Sequence, residues 1–409
     1  MKTNLALRGA SLAALCAAMS MQAVPAMAEI SGETIRIGVM NDQSGAYSDN
    51  CGSGSTAAVR LAAEDFNNEI NGADIEVVVA DDQNKPDIGV ATARRWIESE
   101  GVDAIVGCSA SSIALAVQEI MREAQKPYLI AGTATSDLTN SACSPYTTQW
   151  LHDTYSLPKA TIQKLLEQGQ DTFYFITVDY TFGKQWQEDA TRFIENGGGQ
   201  VLGSVLHPLN TTDFSSQLLQ AQASGAKVIA LANSGSDFAN VIKQASEFGI
   251  RESGQTLAPL GAMVNQIHGI GLDVSQGMIL SSAMYWDLND ETRAFAERFR
   301  EATNGRTPNE AQMATYTAVR HYLSAVQETG SDAGEPVVQQ MKAAPVQDFA
   351  HKDITIREDG QVMHPMLAVQ VKDPAESEYT YDYYEVLGEI PAEDSWRPAS
   401  ESECSLISG

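Results

Sequence analysis

Asn41 to Gly54 reads NDQSGAYSDNCGSG, and the run just before it, Ile35 to Met40 (IRIGVM), has the apolar, β-branched character of a buried strand. Beyond the loop, Val59, Ala62, Phe66 and Ile70 recur at helical spacing. Strand, small-residue loop and helix start come in that order, which leaves backbone N–H groups free to meet an anion or a dipolar ligand. Two further loops repeat the arrangement after apolar runs: Gly107 to Ser112 (GCSASS) and Gly132 to Thr139 (GTATSDLT). In an open parallel sheet the loops at the carboxyl ends of the strands converge on one crevice, so these three predict a single polar pocket.

Strands at Ile75 to Ala80, Ala104 to Gly107 and Tyr128 to Ala131 alternate with helical windows near Ile88 to Ile97 and at Ile113 to Ala124. Such alternation predicts βαβ units and a parallel sheet. It restarts after Trp150, with strands at Phe173 to Val178, Val201 to Leu206, Val228 to Ala232 and Leu257 to Leu260, and a Thr212-Asp213 cap opening a helix before Phe214. From Met278 to Asp348 a strand is followed by long helices, including Glu310 to Glu328; from Ile354 come a few strands (Met366 to Val371) and a Pro-containing tail near Cys404. The predicted fold class is α/β: two doubly wound parallel-sheet lobes, with a chain that crosses between them more than once and so forms a hinge.

A chain of 409 residues exceeds one comfortable core, in keeping with two domains. Lys2 and Arg8, the apolar run Ala10 to Met21 and the small residues Ala26-Met27-Ala28 predict an export signal over 1–28, with cleavage after Ala28 and Glu29 as the first mature residue. Leu15 stands before Cys16 where a lipid-anchor signal needs a small residue, so no lipid anchor is expected. Nothing else approaches the roughly 18 apolar residues of a membrane span. With 26 basic and 53 acidic residues the net charge is −27, which repels nucleic acid and anionic membranes. Cys51, Cys108, Cys143 and Cys404 lie beyond the leader, and an even number in an exported chain predicts two disulfides whose pairing spacing alone leaves open.

Enzyme chemistry finds little support. GCSAS lacks the Gly-x-Ser-x-Gly spacing of a nucleophile elbow, and His152, His207, His268, His321, His351 and His364 are scattered without a zinc-type pair. CGSGS at Cys51 to Ser55 lacks the dinucleotide fingerprint, because Ala57 holds its last position. Asp81-Asp82 and Asp287-x-Asn289-Asp290 fall short of a calcium loop and read as solvated turns, so no metal or cofactor is called for. Ser and Thr at loop ends also cap helices, and that role competes with ligand contact at each of them.

The ordered set IRIGVMNDQSGAY (Ile35 to Tyr47), VVVADDQNKPD (Val77 to Asp87), VGCSASS (Val106 to Ser112), TSDLT (Thr135 to Thr139), DYTFG (Asp179 to Gly183), DFSSQL (Asp213 to Leu218) and YWDLND (Tyr285 to Asp290) resembles the type I periplasmic solute-binding proteins of the branched-chain amino acid (Leu/Ile/Val) class, which serve ABC importers. The resemblance implies two lobes joined by a three-strand hinge near Trp150, Ser282 and Thr355, with 29–149 and 283–355 in lobe 1 and 150–282 and 356–409 in lobe 2. It implies ligand contacts from Tyr47, Ser48, Ser109, Ser111, Thr133, Ala134 and Thr135 in lobe 1, and from Tyr180, Phe182, Asn233, Ser234 and Met263 in lobe 2. Trp286 is divided between cleft and packing.

Amino acid binders of this class carry an acid in the loop matching Gly261-Ala262-Met263, and no carboxylate stands there. TQWLHDTYSL (Thr148 to Leu157) resembles a subgroup whose ligands are aromatic carboxylates; Tyr47, Trp150, Tyr155, Tyr180, Phe182, Tyr285 and Trp286 are its candidate stacking faces. The expectation is a periplasmic, monomeric binder of a small aromatic carboxylate, partnered by a membrane permease. A branched-chain amino acid, an amide or urea as ligand, a sensory role, and a secreted hydrolase are the alternatives. For the cysteines, Cys51–Cys108 at the cleft rim and Cys143–Cys404 holding the tail are the favoured pairs.

Overall fold

The computed structural model describes residue 1 and residues 30–347, 349–352 and 354–407, with the side chain of residue 160 also set aside. The leader proposed for 1–28 thus lies, after Met1, outside the described residues.

β1 (Thr34–Asn41) buries Ile35, Ile37, Val39 and Met40, as a strand covered on both faces must. α1 (Gly52–Glu64) follows, then β2 (Glu69–Ile70), β3 (Ala73–Asp81), α2 (Pro86–Ser99), β4 (Ala104–Cys108), α3 (Ser111–Glu123), β5 (Tyr128–Ile130) and β6 (Thr147–Gln149). The strands form one sheet in the order β2-β3-β1-β4-β5-β6, parallel except for the β2–β3 hairpin. Trp96 of α2 approaches β1 closely because Gly38 there has no side chain; a Cβ would lie 2.6 Å from the indole.

The second lobe repeats the plan with α4 (Ser156–Glu167), β7 (Thr172–Val178), α5 (Thr181–Asn196), β8 (Gln200–His207), α6 (Ser215–Ala223), β9 (Val228–Ala232), α7 (Gly235–Glu247) and β10 (Thr256–Pro259). Its sheet, β10-β9-β7-β8, is parallel throughout. Asp213 does hold the start of α6, accepting from Ser215 N at 2.9 Å, so the helix opens just after Phe214 and not before it.

After α8 (Val264–Ile270), α9 (Leu272–Ser275) and β11 (Ile279–Ser282), the chain returns with α10 (Asp290–Ala302), α11 (Glu310–Thr329) and α12 (Gly334–Ala343). Asn289 and Asn309 cap α10 and α11 by accepting from Thr292 N (2.9 Å) and Gln312 N (3.1 Å). α11 lies along α1 and closes the first lobe. β12 (Met366–Val371) and β13 (Tyr384–Ile390) then pair antiparallel beside β11, a third sheet that the sequence had suggested only as a few strands. β13 exposes most of YEVLGEI, so it carries no inward and outward alternation to read.

Gln149 N donates to Gly360 O (2.8 Å) and Val362 N to Gln149 O (3.1 Å), so two of the interlobe crossings run side by side. The tail after β13, through α13 (Ala392–Ser395), adds another link: Cys404 is disulfide-bonded to Cys143, and Cys51 to Cys108, the two favoured pairings. Among the described residues no helix is long and apolar enough to cross a membrane.

Candidate functional site

The loops after β1, β4 and β5 meet those after β7, β9 and β10 around one cavity, in which water centres can occupy about 60 Å³. Of the residues singled out in the sequence, Tyr47, Ser109, Ser111, Thr133, Ala134, Tyr180, Phe182, Ser234 and Met263 line it. Tyr47 OH and Tyr180 OH are hydrogen-bonded across the cleft at 2.8 Å, and Ser236 N donates to Ala46 O at 3.2 Å. Asn265, just inside α8, reaches over to Asp49 O (3.2 Å) and Asn50 Oδ1 (3.0 Å), while Asn309 donates to Asn265 Oδ1 (3.0 Å). The lobes are therefore closed on each other.

The structure does not bring the other four candidates to the wall. Ser48 donates to Gly45 O within its own turn (2.8 Å), and Thr135 caps the short 3₁₀ turn Ser136–Thr139. Asn233 is buried against His207, with Nδ2 3.1 Å from Nε2. Trp286 donates to Tyr381 O at 3.1 Å, and the Arg300 guanidinium lies 4.5 Å above its ring; this is packing, and its indole is not available to a ligand. Trp150, Tyr155 and Tyr285 are likewise spent elsewhere: Trp150 donates to Thr148 Oγ1, Arg397 covers the Tyr155 ring, and Tyr285 OH donates to Tyr381 O. Tyr47, Tyr180 and Phe182 remain as aromatic faces in the cavity.

Sequence reading missed His152, Leu157, Trp186 and Gln266, which also line the cavity. His152 and Leu157 stand within the quoted TQWLHDTYSL, where no spacing or residue pattern marks either of them as a wall residue. Trp186 follows Phe182 by one helical turn in α5, and the two rings pack at 5.0 Å, so helical spacing from Phe182 was the available signal. Gln266 accepts from Met263 N (2.8 Å) and donates to Ser234 Oγ (2.9 Å), fixing the second-lobe rim.

Among the described residues that line the cavity there is no Asp, Glu, Lys or Arg. What faces the cavity is a set of helix starts: the N-cap residues of α1, α3, α5 and α7, namely Cys51, Ala110, Tyr180 and Ser234, all line it, and none of these four helices has a side-chain cap. Their first N–H groups and aligned dipoles favour negative charge. Tyr47 and Tyr180 are held in the neutral phenol form by burial, with Asp237 adding to the upward shift of both. Asp237 itself lies behind the wall, accepting from Asn210 N at 3.1 Å, and burial pushes its carboxyl up to about 7.

Glu310 braces the second crossing, where Ser282 Oγ donates to its Oε1 at 3.0 Å, and burial raises its pKa to about 7 from the usual 4.5. A folded-state value above the unfolded one means that deprotonation costs stability: the penalty is absent below about pH 4.5 and fully present above about pH 7. Glu310→Gln is expected to gain stability relative to the unaltered protein between pH 5 and pH 8 in urea unfolding. A difference that does not change with pH contradicts the raised value.

Two α/β lobes that shut a charge-free cavity between the carboxyl ends of their parallel sheets define a cleft-closing binder of small solutes. The chain belongs to the periplasmic binding protein family, whose profile matches residues 34–377. It is similar to a periplasmic binding protein from Burkholderia mallei (40% identity, TM-score 0.90, 92% of this chain and 100% of that one). It also resembles a branched-chain amino acid ABC transporter periplasmic ligand-binding protein from Burkholderia xenovorans LB400 (34% identity, TM-score 0.81, 91% and 100% covered). A more distant relative is Leu/Ile/Val-binding protein homolog 6 of Brucella melitensis, 25% identical over 274 residues, 66% of this chain and 70% of that one.

Proposed function

We propose that this protein is the extracytoplasmic solute-binding component of an ABC importer and that it captures a small aromatic carboxylate by closing its lobes. The observation that carries the assignment is the wall itself: uncapped helix starts converge on a cavity with no charged side chain among its lining residues. A carboxylate gains from that field without any arginine. An α-ammonium would be buried there without a partner, at a cost of several kcal/mol. The names of the relatives favour a second candidate, a branched-chain amino acid, which requires an acid to reach the ammonium. Binding needs no covalent step, so the chain acts as a carrier and not as a hydrolase.

The proposed division is 29–149 with 283–355 in one lobe and 150–282 with 356–409 in the other, in a monomer that lost its leader after Ala28 and hands its ligand to a membrane permease. Closure follows from differential affinity, since Tyr180, Phe182 and Ser234 complete burial only when the second lobe docks.

A thermal-shift screen of the mature protein against benzoates, hydroxycinnamates, short branched acids, branched-chain amino acids, amides and urea tests the proposal, with mass spectrometry of the recovered ligand. An aromatic acid is expected to raise the melting temperature and to return unchanged. A shift by leucine or urea alone rejects the aromatic acid as ligand, and conversion of the ligand rejects the carrier role. Phe182→Ala is expected to weaken binding of the acid by roughly 1–3 kcal/mol, because the ring is a buried face of the cavity. Unchanged affinity in calorimetry removes it from the site.

A further inference from the structure

The three loops of the first lobe meet at one point in the cavity wall. Cys51 stands at the start of α1, in the loop after β1; Cys108 ends β4; and Gly132 follows β5. All three line the cavity, and the Cys51–Cys108 bridge joins the first two loops covalently. The third loop lies against that bridge. A Cβ on Gly132 would overlap the Cys108 sulfur and stand 3.1 Å from the Cys51 sulfur, and the atoms nearest to that missing side chain all belong to the bridge. Gly132 has no positive φ, so no left-handed backbone calls for a glycine there.

Hydrogen bonds follow the same path. Ser109 Oγ donates to Met40 O (3.2 Å) and Thr133 Oγ1 to Ser109 O (2.6 Å), so two hydroxyl protons that the sequence offers to a ligand tie loop to loop instead. What this half of the wall holds out to a carboxylate is then backbone N–H groups, at the starts of α1 and α3 behind Cys51 and Ala110. A backbone N–H cannot turn to follow a ligand as a side chain can. Its aim is set by where its loop is fixed.

We infer that Cys51, Cys108 and Gly132 are positioning residues of the binding site: the bridge, seated against Gly132, fixes the starts of α1 and α3 relative to each other before the ligand arrives. This rests on the carboxylate assignment and adds the device that keeps its first-lobe half formed.

The test is calorimetric titration of benzoate into the mature protein and into variants that lack one bridge or the other. Cys51→Ala/Cys108→Ala is expected to raise the Kd about tenfold or more, because binding must then order the loops. Cys143→Ala/Cys404→Ala removes a bridge whose cysteines do not line the cavity, and a change of less than about threefold is expected. Both variants are expected to melt at lower temperature, so affinity and not stability separates them. Gly132→Ala supplies a readout that a merely structural role does not move. With the bridge present, the added methyl group displaces the sulfurs and the Kd is expected to rise about tenfold or more. In the Cys51→Ala/Cys108→Ala background the sulfurs are gone, and the same substitution is expected to change the Kd by less than about threefold. If the unbridged protein does not fold, Gly132→Ala alone carries the test, and unchanged affinity overturns the inference. Unchanged affinity in Cys51→Ala/Cys108→Ala, an equal loss on removing either bridge, or a Gly132→Ala effect that is the same with and without the sulfurs also overturns it, and leaves the carboxylate assignment standing. Failure of the unaltered protein to bind benzoate overturns the aromatic carboxylate assignment and this inference with it.

Discussion

Gly235→Ala is expected to weaken ligand binding by roughly a hundredfold, the largest effect of any single change at the cleft that spares the cavity wall. Gly235 opens α7 with φ +64°, and a Cβ there would overlap the carbonyl oxygen of Ala46 on the opposite lobe. The left-handed backbone itself costs an alanine about 1–2 kcal/mol, but that strain is present with the cleft open or shut. The clash with Ala46 is present only when the cleft is shut, and so is the Ser236 N to Ala46 O bond that it displaces. Overpacking of this kind costs about 1–3 kcal/mol, and the lost bond about 1 kcal/mol more. Because ligand binds tightly only to the closed form, the whole of that cost appears in the affinity. Calorimetry gives the affinity, and small-angle scattering with saturating ligand shows whether the variant stays extended. A variant that closes and binds as the unaltered protein does would mean that the Gly235–Ala46 approach has no part in closure.

Arg397→Ala is expected to destabilise the fold by about 3–5 kcal/mol, more than any surface ion pair could. Arg397 Nη2 pairs with Asp189 Oδ1 at 3.1 Å, with side-chain exposures of 8% and 0%. Ser136 Oγ (3.0 Å) and Thr154 Oγ1 (2.8 Å) donate to the other carboxylate oxygen, so one buried acid joins the first lobe, the first crossing, α5 and the C-terminal tail. Removing the guanidinium leaves that carboxylate buried with only neutral donors, Ser136, Thr154 and Gln185 Nε2 (3.4 Å), and also uncovers the Tyr155 ring, over which Arg397 sits at 4.4 Å. The exposed Arg122–Glu119 pair offers the contrast, since its loss is expected to leave the unfolding midpoint nearly unchanged. Urea unfolding of both variants, with Asp189→Asn/Arg397→Ala added, measures the difference. If the double variant is no more stable than Arg397→Ala, an unpaired charge is not what destabilises it.

Much of the fold was legible because its signals are local. β1, β4, β7 and β9 are short, rich in Ile and Val and buried, and each leads into a helix, with small residues between after β1, β4 and β9. The three first-lobe loops announced the cavity for the same reason. Where the sequence was mute, the controlling contacts lie far apart along the chain. Trp286, which the sequence leaves divided between cleft and packing, is held by Tyr381 and Arg300, and Asn233, which reads as a rim residue, is held by His207. His152 carries no local mark of its place in the wall; it lines the cavity, as Phe182 and Trp186 of α5 do, because the tertiary fold brings these separated segments to one space. β13 escaped notice because an exposed edge strand has no buried face to give it a period.

The absence of a carboxylate from the cavity wall is the point on which the ligand class turns, and matched pairs differing only in the ammonium test it most directly. Calorimetric titration of the mature protein with 4-methylpentanoate against leucine, and with 3-phenylpropanoate against phenylalanine, isolates that one group. In each pair the acid without the amine is predicted to bind more tightly, because the helix starts hold its carboxylate and nothing in the wall pairs an ammonium. Tighter binding of leucine than of 4-methylpentanoate would contradict the account, placing an acid such as Asp237 in contact with the ligand.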